Sequence, residues 1–254
     1  MGSLGLGVGF YKLGGQEKPW DPRRVKGGGS GSRMMSWFRN NVGVAVSQWT
    51  DQSGAGNHIV QEDSDKQPSL SGGGLDFNAS ETDHMDFGSQ HQISSQEGFV
   101  VIVVAELDNI ASNRALLGLT GGTAHFMEFK AGGDNIRIKL GATLTDIAPS
   151  TSNSWAAGSK FLCTLVRESG STGNLILYKN GGKLAQSSQA TNTGDGEFNS
   201  FAARNNDRPF EGKIYEFMFF ESGTATNNDL TAVELDKIHT YLCNKHGISR
   251  NDDE

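Results

Sequence analysis

The chain has 254 residues and a net charge of −7, with 34 glycines, five prolines and two cysteines. This length suits a single large β-sandwich, and frequent glycines suit the tight turns of an all-β protein better than a helical one. Two cysteines exclude a disulfide-rich scaffold, and no apolar run is long enough to predict a membrane-spanning helix.

Residues 1–34 are predicted to form an extended, basic, glycine-rich docking arm. They contain six Lys or Arg against two acids, so the arm carries +4 and residues 35–254 carry −11. The candidate partner-docking residues are Trp20, Arg23, Arg24 and Lys26. Trp and Arg are enriched at interface hot spots, which favours this role. The alternative is that Trp20 folds back onto the body of the protein.

The charge distribution also bears on partners and location. An acidic body repels phosphate backbones, so we expect no nucleic-acid partner. Residues 1–15 are glycine-rich and lack the charged-then-apolar pattern of a secretion signal. The sequence therefore predicts no signal peptide and no contact with a membrane.

A polar turn is predicted at residues 49–58, where the body begins. The side chains of Asp51 and Ser53 can accept backbone N–H groups in such a turn. Gly54 and Gly56 can adopt the positive φ angles that reverse the chain. This segment is therefore expected to be a structured turn and not a flexible loop.

Later segments have the pattern of β-strands. Residues 98–106 form a continuous apolar run, typical of a strand buried on both faces. Residues 135–140 alternate between apolar and charged side chains, as a half-buried strand does. The dipeptide Asn180–Gly181 separates two apolar runs and predicts a hairpin with positive φ at both turn residues.

The segment at residues 210–220 is predicted to be a central strand, because large apolar groups occupy both of its faces. Strict alternation places two sets of side chains on opposite sides: Lys213, Tyr215, Phe217 and Phe219 on one, and Ile214, Glu216, Met218 and Phe220 on the other. Such a strand must be covered on both sides.

A C-terminal helix is predicted at about residues 231–246. Thr231 and Glu234 have the spacing of a capping box, and Gly247 is placed to end the helix in a left-handed conformation. An apolar stripe runs along this helix at Leu235, Ile238 and Leu242. The stripe predicts that the helix lies against the sandwich.

Catalytic carboxylates are not predicted. Retaining glycosidases place two carboxylates about 5–5.5 Å apart. Glu211 and Glu216 are five residues apart on one strand and are expected to face opposite ways. Asp83 and Asp86 also have an odd separation. The sequence therefore disfavours a hydrolase.

Histidine and cysteine spacing predicts no metal site. None of the six histidines has the i, i+2 or i, i+4 spacing of a metal-binding pair. His239 and His246 are expected at the surface of the C-terminal helix. Cys163 and Cys243 are expected to be small buried side chains.

Several of these motifs resemble concanavalin A-like, laminin G-like jelly-roll domains. The motifs are the Trp-x-Asp-x-Ser-Gly-x-Gly-Asn turn from Trp49, the hairpin at 175–184 and the Gly-x-Ile-x-Glu strand from Gly212. The ending at 235–248 is similar to the final helix of virion proteins from tailed phages of marine cyanobacteria. The resemblance implies an all-β, two-sheet antiparallel jelly-roll sandwich over residues 35–254, with an extended N-terminal arm and one C-terminal α-helix.

The resemblance also implies a function. A non-enzymatic virion structural protein is expected, displayed on the capsid or tail as a decoration, fibre or spike. Its arm would bind other virion proteins, and its body would contact host surface glycans. The particle would assemble in the host cytoplasm. A homo-oligomer is compatible with this role. The alternative is a carbohydrate-binding lectin-like module, and a glycoside hydrolase is the third hypothesis.

Ligand-binding candidates follow from the lectin-like alternative, since such sandwiches bind sugars through aromatic and amide groups. They are Trp155, Asn153, Asn205 and Asn206. Some laminin G-like modules bind calcium at their rim through Asp and Asn. Asp51, Asn57, Asp83 and Asp207 are of that type, but no spacing selects them. No cofactor and no metal ligand are therefore assigned.

Overall fold

A computed structural model describes residues 20–25, 33–133, 135–148, 155–171, 173–187, 194–205, 207–223 and 229–251. The strands are β1 (Arg33–Phe38), β2 (Val44–Ala45), β3 (Gln48–Trp49), β4 (Ile59–Val60), β5 (Ser69–Ser71), β6 (Gly74–Phe77), β7 (Met85–Ile93), β8 (Gly98–Leu107), β9 (Arg114–Leu119), β10 (Gly122–Phe129), β11 (Ile136–Leu140), β12 (Thr143–Ile147), β13 (Lys160–Arg167), β14 (Leu175–Lys179), β15 (Gly182–Ser187), β16 (Gly196–Phe201) and β17 (Gly212–Gly223). The α-helix is α1 (Ala232–His246), and short 3₁₀ turns lie at Pro22–Arg24 and Ser64–Lys66.

The strands form two antiparallel sheets. The first has the order β15-β14-β13-β8-β17-β6-β5, with β1 also paired to β17. The second has the order β12-β11-β10-β9-β16-β7-β4-β3-β2. With the C-terminal helix, this arrangement confirms the predicted jelly-roll sandwich.

The space between the two sheets is filled by an inner core rich in aromatic rings. Phe38 lies at its centre, with ring centroids 5.6 Å from both Phe201 and Phe217 and 5.8 Å from Trp49. Each of these side chains is fully buried. Since burying one large apolar side chain stabilises a fold by about 1.5–3 kcal/mol, this core is the main source of stability.

Strand β17 is central and covered on both faces, as predicted, but the predicted faces were wrong for the residues before Glu216. Ile214 belongs to the inner core together with Phe217, whereas Tyr215 packs on the outer face with Met218. The register between β17 and β8 shifts between Ile214 and Glu216. This β-bulge inserts one extra residue and so inverts the alternation before Glu216.

Helix α1 covers the outer face of the first sheet. Leu235, Ile238 and Leu242 are buried against an outer core that includes Met218 and Phe220 of β17. The predicted capping signals are present. Both capping-box hydrogen bonds form at the N-terminus, and the residue that ends the helix is left-handed with φ 65°. In the part of the chain that the structure describes, no helix is long and apolar enough to cross a membrane.

Residues 20–25 pack beside the helix. Trp20 is half-buried, with its ring centroid 5.7 Å from that of Tyr241, and Val25 is buried in the outer core. Arg23 lies over the ring of Trp37 at 5.8 Å. Arg23 and Arg24 are exposed, and Lys26 lies outside the described residues. Trp20 therefore contacts the body of the protein through Tyr241, and docking of residues 20–26 to a partner stays a prediction.

Two predicted turns are confirmed in detail. Asp51 accepts hydrogen bonds from the backbone N–H groups of Ser53, Gly56 and Asn57 at 2.8–3.0 Å. It also accepts from the N–H of Trp37 at 2.8 Å, which ties the turn to β1. The hairpin between β14 and β15 has φ 52° at Asn180 and 92° at Gly181.

The two histidines of α1 that were expected at the surface are buried, so that prediction was wrong. The prediction that both cysteines are buried is confirmed. His239 is buried, with Nε2 3.0 Å from the hydroxyl of Thr164 on β13. The side chain of His246 is 4% exposed, with Nε2 2.7 Å from the carboxylate of Glu216. Helix α1 thus buries polar groups beside its apolar stripe. Cys163 and Cys243 are both buried.

His91 on β7 is expected to make the fold sensitive to acid. Its ring stacks on Phe219 with centroids 4.4 Å apart, and burial lowers the pKa of His91 from 6.5 to about 4. Between pH 6.5 and about pH 4, His91 is protonated in the unfolded chain but stays neutral in the folded chain. We therefore expect His91 to cost about 3 kcal/mol of stability across that window.

Urea unfolding measured from pH 7 to pH 4 checks this expectation. The measured quantity is the slope of the free energy of unfolding against pH. In His91→Phe, which keeps an aromatic ring beside Phe219, the part of this slope that His91 causes should vanish. His58→Phe, a change at a half-buried histidine elsewhere, serves as the control. Equal slopes in the wild type and His91→Phe would contradict the assignment.

Candidate functional site at the sandwich rim

A polar groove of about 400 Å³ opens at one end of the first sheet. There the last residue of β6, the first of β17 and the last of β8 lie side by side, as Phe77, Gly212 and Leu107. Five carboxylates line this rim groove: Asp76, Glu81, Asp83, Asp108 and Glu211. The amides of Gln67 and Asn78 and the hydroxyl of Ser69 complete the polar lining.

A close approach of two strands holds one side of the groove. Gly212 has φ 129°, and a Cβ at this position would overlap the carbonyl oxygen of Glu106. Only glycine fits this conformation and spacing. The backbone N–H of Asp108 donates to the carbonyl of Glu211 at 3.1 Å. These contacts place two acidic residues from distant parts of the chain at the same edge.

A tight turn at residues 78–83 forms the other side. Asp83 accepts a hydrogen bond on Oδ2 from the N–H of Asn78 at 2.9 Å. Asn78 in turn accepts from the N–H of Ser80 at 3.0 Å, and Thr82 adopts a left-handed φ of 60°. Asp83 is only 2% exposed, and its Oδ1 has no hydrogen-bond donor among the described residues.

Burial, with repulsion from neighbouring acids, raises the pKa of two of these carboxyls. Burial raises the pKa of Asp76, and repulsion from Asp108 and Glu106 adds to that effect against the attraction of Lys213. Burial also raises the pKa of Asp83, with repulsion from Glu81 adding to it. Raised carboxyl pKa values in a cleft are a feature that functional sites share.

Two cations balance part of the negative charge. Lys213 lies 3.3 Å from both Glu106 and Asp108. Arg114 forms an ion pair with Glu211. Within the described ranges, no lysine or arginine lies within ion-pair distance of Asp76 or Asp83. The groove therefore keeps a negative character around these two residues.

The ligand-binding residues predicted from the sequence do not line this groove. Trp155 is fully buried between Phe129 and Phe161, at ring-centroid distances of 5.4 and 4.9 Å, so its indole offers no face to a ligand. Asn205 is exposed at a turn on the second sheet. Asn153 and Asn206 lie outside the described residues. The structure does not bring Trp155 and Asn205 together.

The four residues considered for calcium are also dispersed. Asp51 is saturated by backbone N–H groups, and Asn57 donates to the carbonyl of Met35 at 2.8 Å. Asp83 lies in the rim groove, whereas Asp207 lies at the turn that contains Asn205. In the described ranges, no group of three or more His, Cys, Asp or Glu is arranged to hold a metal ion.

Sequence reasoning missed the groove because it compared each acid only with its neighbours in the chain. Glu211 was compared with Glu216, and Asp83 with Asp86. The relevant neighbours are contributed by β6, β8 and β17, which meet only through sheet pairing. The acidic residues that follow or precede strand ends were the one available signal, because the ends of paired strands lie at a common rim.

Comparison with known proteins supports the fold and assigns no family. No family model matches the chain, and no curated protein matches it. Solved structures with a similar fold include domain 4 of AbnA, a GH43 extracellular arabinanase from Geobacillus stearothermophilus, in complex with arabinotriose. That match has a TM-score of 0.55 and 14% identity, and covers 82% of this chain and 98% of that one.

Two further solved structures are similar in fold at comparably low sequence identity. The binding domain of Paraclostridial Mosquitocidal Protein 1 has a TM-score of 0.56 and 15% identity over 88% of this chain and 54% of that one. Trypanosoma rangeli sialidase in complex with sialic acid has a TM-score of 0.55 and 14% identity over 84% of this chain. This chain spans only 33% of the sialidase. At these identities the likeness shows a shared β-sandwich fold.

Proposed function

We propose that this chain is a non-enzymatic structural protein of a tailed-phage particle whose jelly-roll body contacts host surface glycans through the rim groove. The observation that carries the glycan part is the groove itself, with its five carboxylates and two amides. Carboxylates accept hydrogen bonds from hydroxyl groups, and amides both donate and accept them. A hydroxyl-rich sugar meets these requirements.

The charge of the groove selects the class of sugar. Its carboxylates repel anionic ligands, so the ligand we propose is a neutral polysaccharide segment. The arabinanase domain with a similar fold, solved with arabinotriose, also supports it.

Glycan binding is tested by calorimetry on an array-selected neutral polysaccharide. We expect Asp83→Asn and Asp76→Asn each to weaken binding about tenfold, because an amide that replaces a carboxylate loses a charge-assisted hydrogen bond. Asp65→Asn, an exposed aspartate in the Ser64–Lys66 turn, is the matched control. Wild-type protein that binds no neutral glycan would remove the lectin part of the proposal.

The same groove also favours a second candidate function, glycoside hydrolysis. A carboxyl with a raised pKa beside an ionised one is the arrangement of an acid–base pair. Asp76 and Asp83 have raised pKa values, and Glu211 lies in the same groove. Release of reducing sugar by purified protein, lost in Asp83→Asn and kept in Asp65→Asn, would replace the non-enzymatic role with this one.

The virion part of the proposal is supported by the turn from Trp49 and the ending at 235–248, which resemble phage virion proteins. Anchoring through the N-terminal arm is tested by deletion. Strand β1 begins at Arg33 and Val25 is buried, so deletion of residues 1–34 would damage the body. Deletion of residues 1–19 avoids this damage. We expect that variant, with the exposed Arg23 and Arg24 also replaced by glutamine, to fold but to fail to copurify with particles. Attachment that survives both changes would refute arm-mediated anchoring.

A further inference from the structure

The outer face of the second sheet contains a buried carboxylate surrounded by arginines. Glu128 on β10 is fully buried although it lies on the face opposite the inner core. Nη1 of Arg208 donates to its two oxygens at 2.9 and 3.0 Å. Nη1 atoms of Arg204 and Arg137 lie 3.7 and 3.8 Å from the same carboxylate. We name Arg137, Arg204 and Arg208 the arginine cluster.

The arginine cluster has more hydrogen-bond donors than its partners can accept. Three guanidinium groups offer about fifteen N–H donors, whereas the carboxylates of Glu128, Asp146 and Asp207 together accept about twelve, some of them from Asn113 and Lys130. Asp146 takes two from Arg137, at 2.6 and 2.9 Å, and Asp207 lies 3.3 Å from Arg204. Nε of Arg204 is buried and has no acceptor within the part of the chain described. The cluster therefore has donors left for a further anion.

The segment that carries two of these arginines adopts an unusual backbone. Ala202, Asn205 and Arg208 have φ angles of 65°, 49° and 49°, in the left-handed region that non-glycine residues rarely occupy. Such residues cost about 1–3 kcal/mol each and persist where the surrounding structure fixes them. The backbone of Ala203 packs directly on Gly118 of β9. The approach is so close that a Cβ at Gly118 would overlap the carbonyl oxygen of Ala203, and this packing fixes the segment against the sheet.

The cations in contact around Glu128 outnumber the anions. Lys130 and the arginine cluster are four positive groups, and Glu128, Asp146 and Asp207 are the three negative groups paired with them. Asp86 and Glu197 lie on the same face at β7 and β16, outside these contacts. Arg137 and Arg208 are 22% and 33% exposed, so guanidinium edges reach the solvent while Glu128 does not.

We propose that the arginine cluster binds the carboxylate or sulfate groups of an acidic polysaccharide. Planar guanidinium groups bind such anions through paired hydrogen bonds, and the backbone at residues 202–205 and 207–208 holds Arg204 and Arg208 in place before binding. The choice of a polysaccharide rests on the proposed glycan-contacting function. The site is separate from the rim groove, whose carboxylates disfavour the same ligand.

The test uses the full chain with polygalacturonate and dextran sulfate, and neutral dextran as the uncharged probe. Arg208→Gln is expected to weaken binding of either polyanion at least tenfold. Lys139→Gln, which does not contact Glu128, should weaken it two- to threefold and guards against misfolding in Arg208→Gln. Lys237→Gln, an exposed change of equal charge on α1, should leave binding unchanged.

Each outcome decides the proposal separately from the rim groove. Polyanion binding that is at least tenfold weaker in Arg208→Gln and two- to threefold weaker in Lys139→Gln, with a normal thermal melt and no change in Lys237→Gln, supports it. No wild-type binding to either polyanion, or an equal effect of Lys237→Gln, overturns it. If Arg208→Gln still binds the array-selected neutral glycan, the rim groove binds its ligand independently of the arginine cluster.

Discussion

Replacing Glu216 with alanine is expected to lower the free energy of unfolding by about 3–5 kcal/mol, the range for breaking a buried ion pair. Glu216 on β17 is 1% exposed and accepts hydrogen bonds from three side chains on two elements. The donors are Nε1 of Trp37 at 2.8 Å, Nζ of Lys245 at 2.6 Å and Nε2 of His246 at 2.7 Å. The carboxylate thereby joins β1 and α1 to the central strand.

Urea unfolding followed by tryptophan fluorescence measures this effect. Glu62→Ala, a change at an exposed glutamate, is the control and should alter stability by less than about 0.5 kcal/mol. A loss below about 1 kcal/mol in Glu216→Ala would show that the three contacts contribute little.

The same carboxylate should contribute to acid unfolding. Burial opposes its charge, but hydrogen bonds from His246, Lys245 and Trp37 outweigh burial and hold the pKa of Glu216 below its usual value. An acid with a lowered folded pKa stabilises the fold above its unfolded pKa, and that contribution is lost as pH falls through the folded pKa. Glu216→Gln should therefore flatten the stability profile as the pH falls below 4.5, the ordinary value for this carboxyl.

Replacing Arg167 with alanine is expected to cost about 4 kcal/mol of stability. Arg167 on β13 is 1% exposed and donates to the backbone carbonyls of Glu97, Gly194 and Ser94 at 2.7, 2.6 and 3.0 Å. Its guanidinium also lies 5.0 Å from the ring centre of Phe99. Removal leaves carbonyls without donors and a cavity beside the inner core, and both are expensive in a buried site.

Arg167→Lys separates charge from geometry. Burial lowers the pKa of Arg167 to about 10, so the side chain remains charged at neutral pH. Lysine keeps the charge but cannot reach three carbonyls in one plane, and it should recover less than half of the lost stability. Full recovery by lysine in equilibrium unfolding would mean that charge alone matters. Lys160→Ala, on the same strand, controls for strand effects.

Local signals in the sequence were sufficient for the elements whose structure depends on near neighbours. Thr231 and Glu234 cap the helix, Asn180 and Gly181 form the hairpin, and Asp51 organises its turn, because each depends on bonds within a few residues. Regular alternation likewise predicted the buried and exposed faces of β11.

Features that depend on contacts between distant segments were not predictable from the sequence. The bulge near Tyr215 depends on the register with β8, which no local pattern encodes. The burial of His239 and His246 depends on polar partners on β13 and β17. The rim groove arises from strand ends that meet through sheet order.

The double cover of β17 determines how the molecule comes apart. One strand contributes Phe217 to the layer between the sheets and Met218 to the layer beneath α1. Detaching the helix would expose the second layer and strip Glu216 of two of its donors, so the helix has no inexpensive way to leave alone. Both layers should therefore melt in one cooperative transition, and amide protons along β17 should exchange only when the whole body opens.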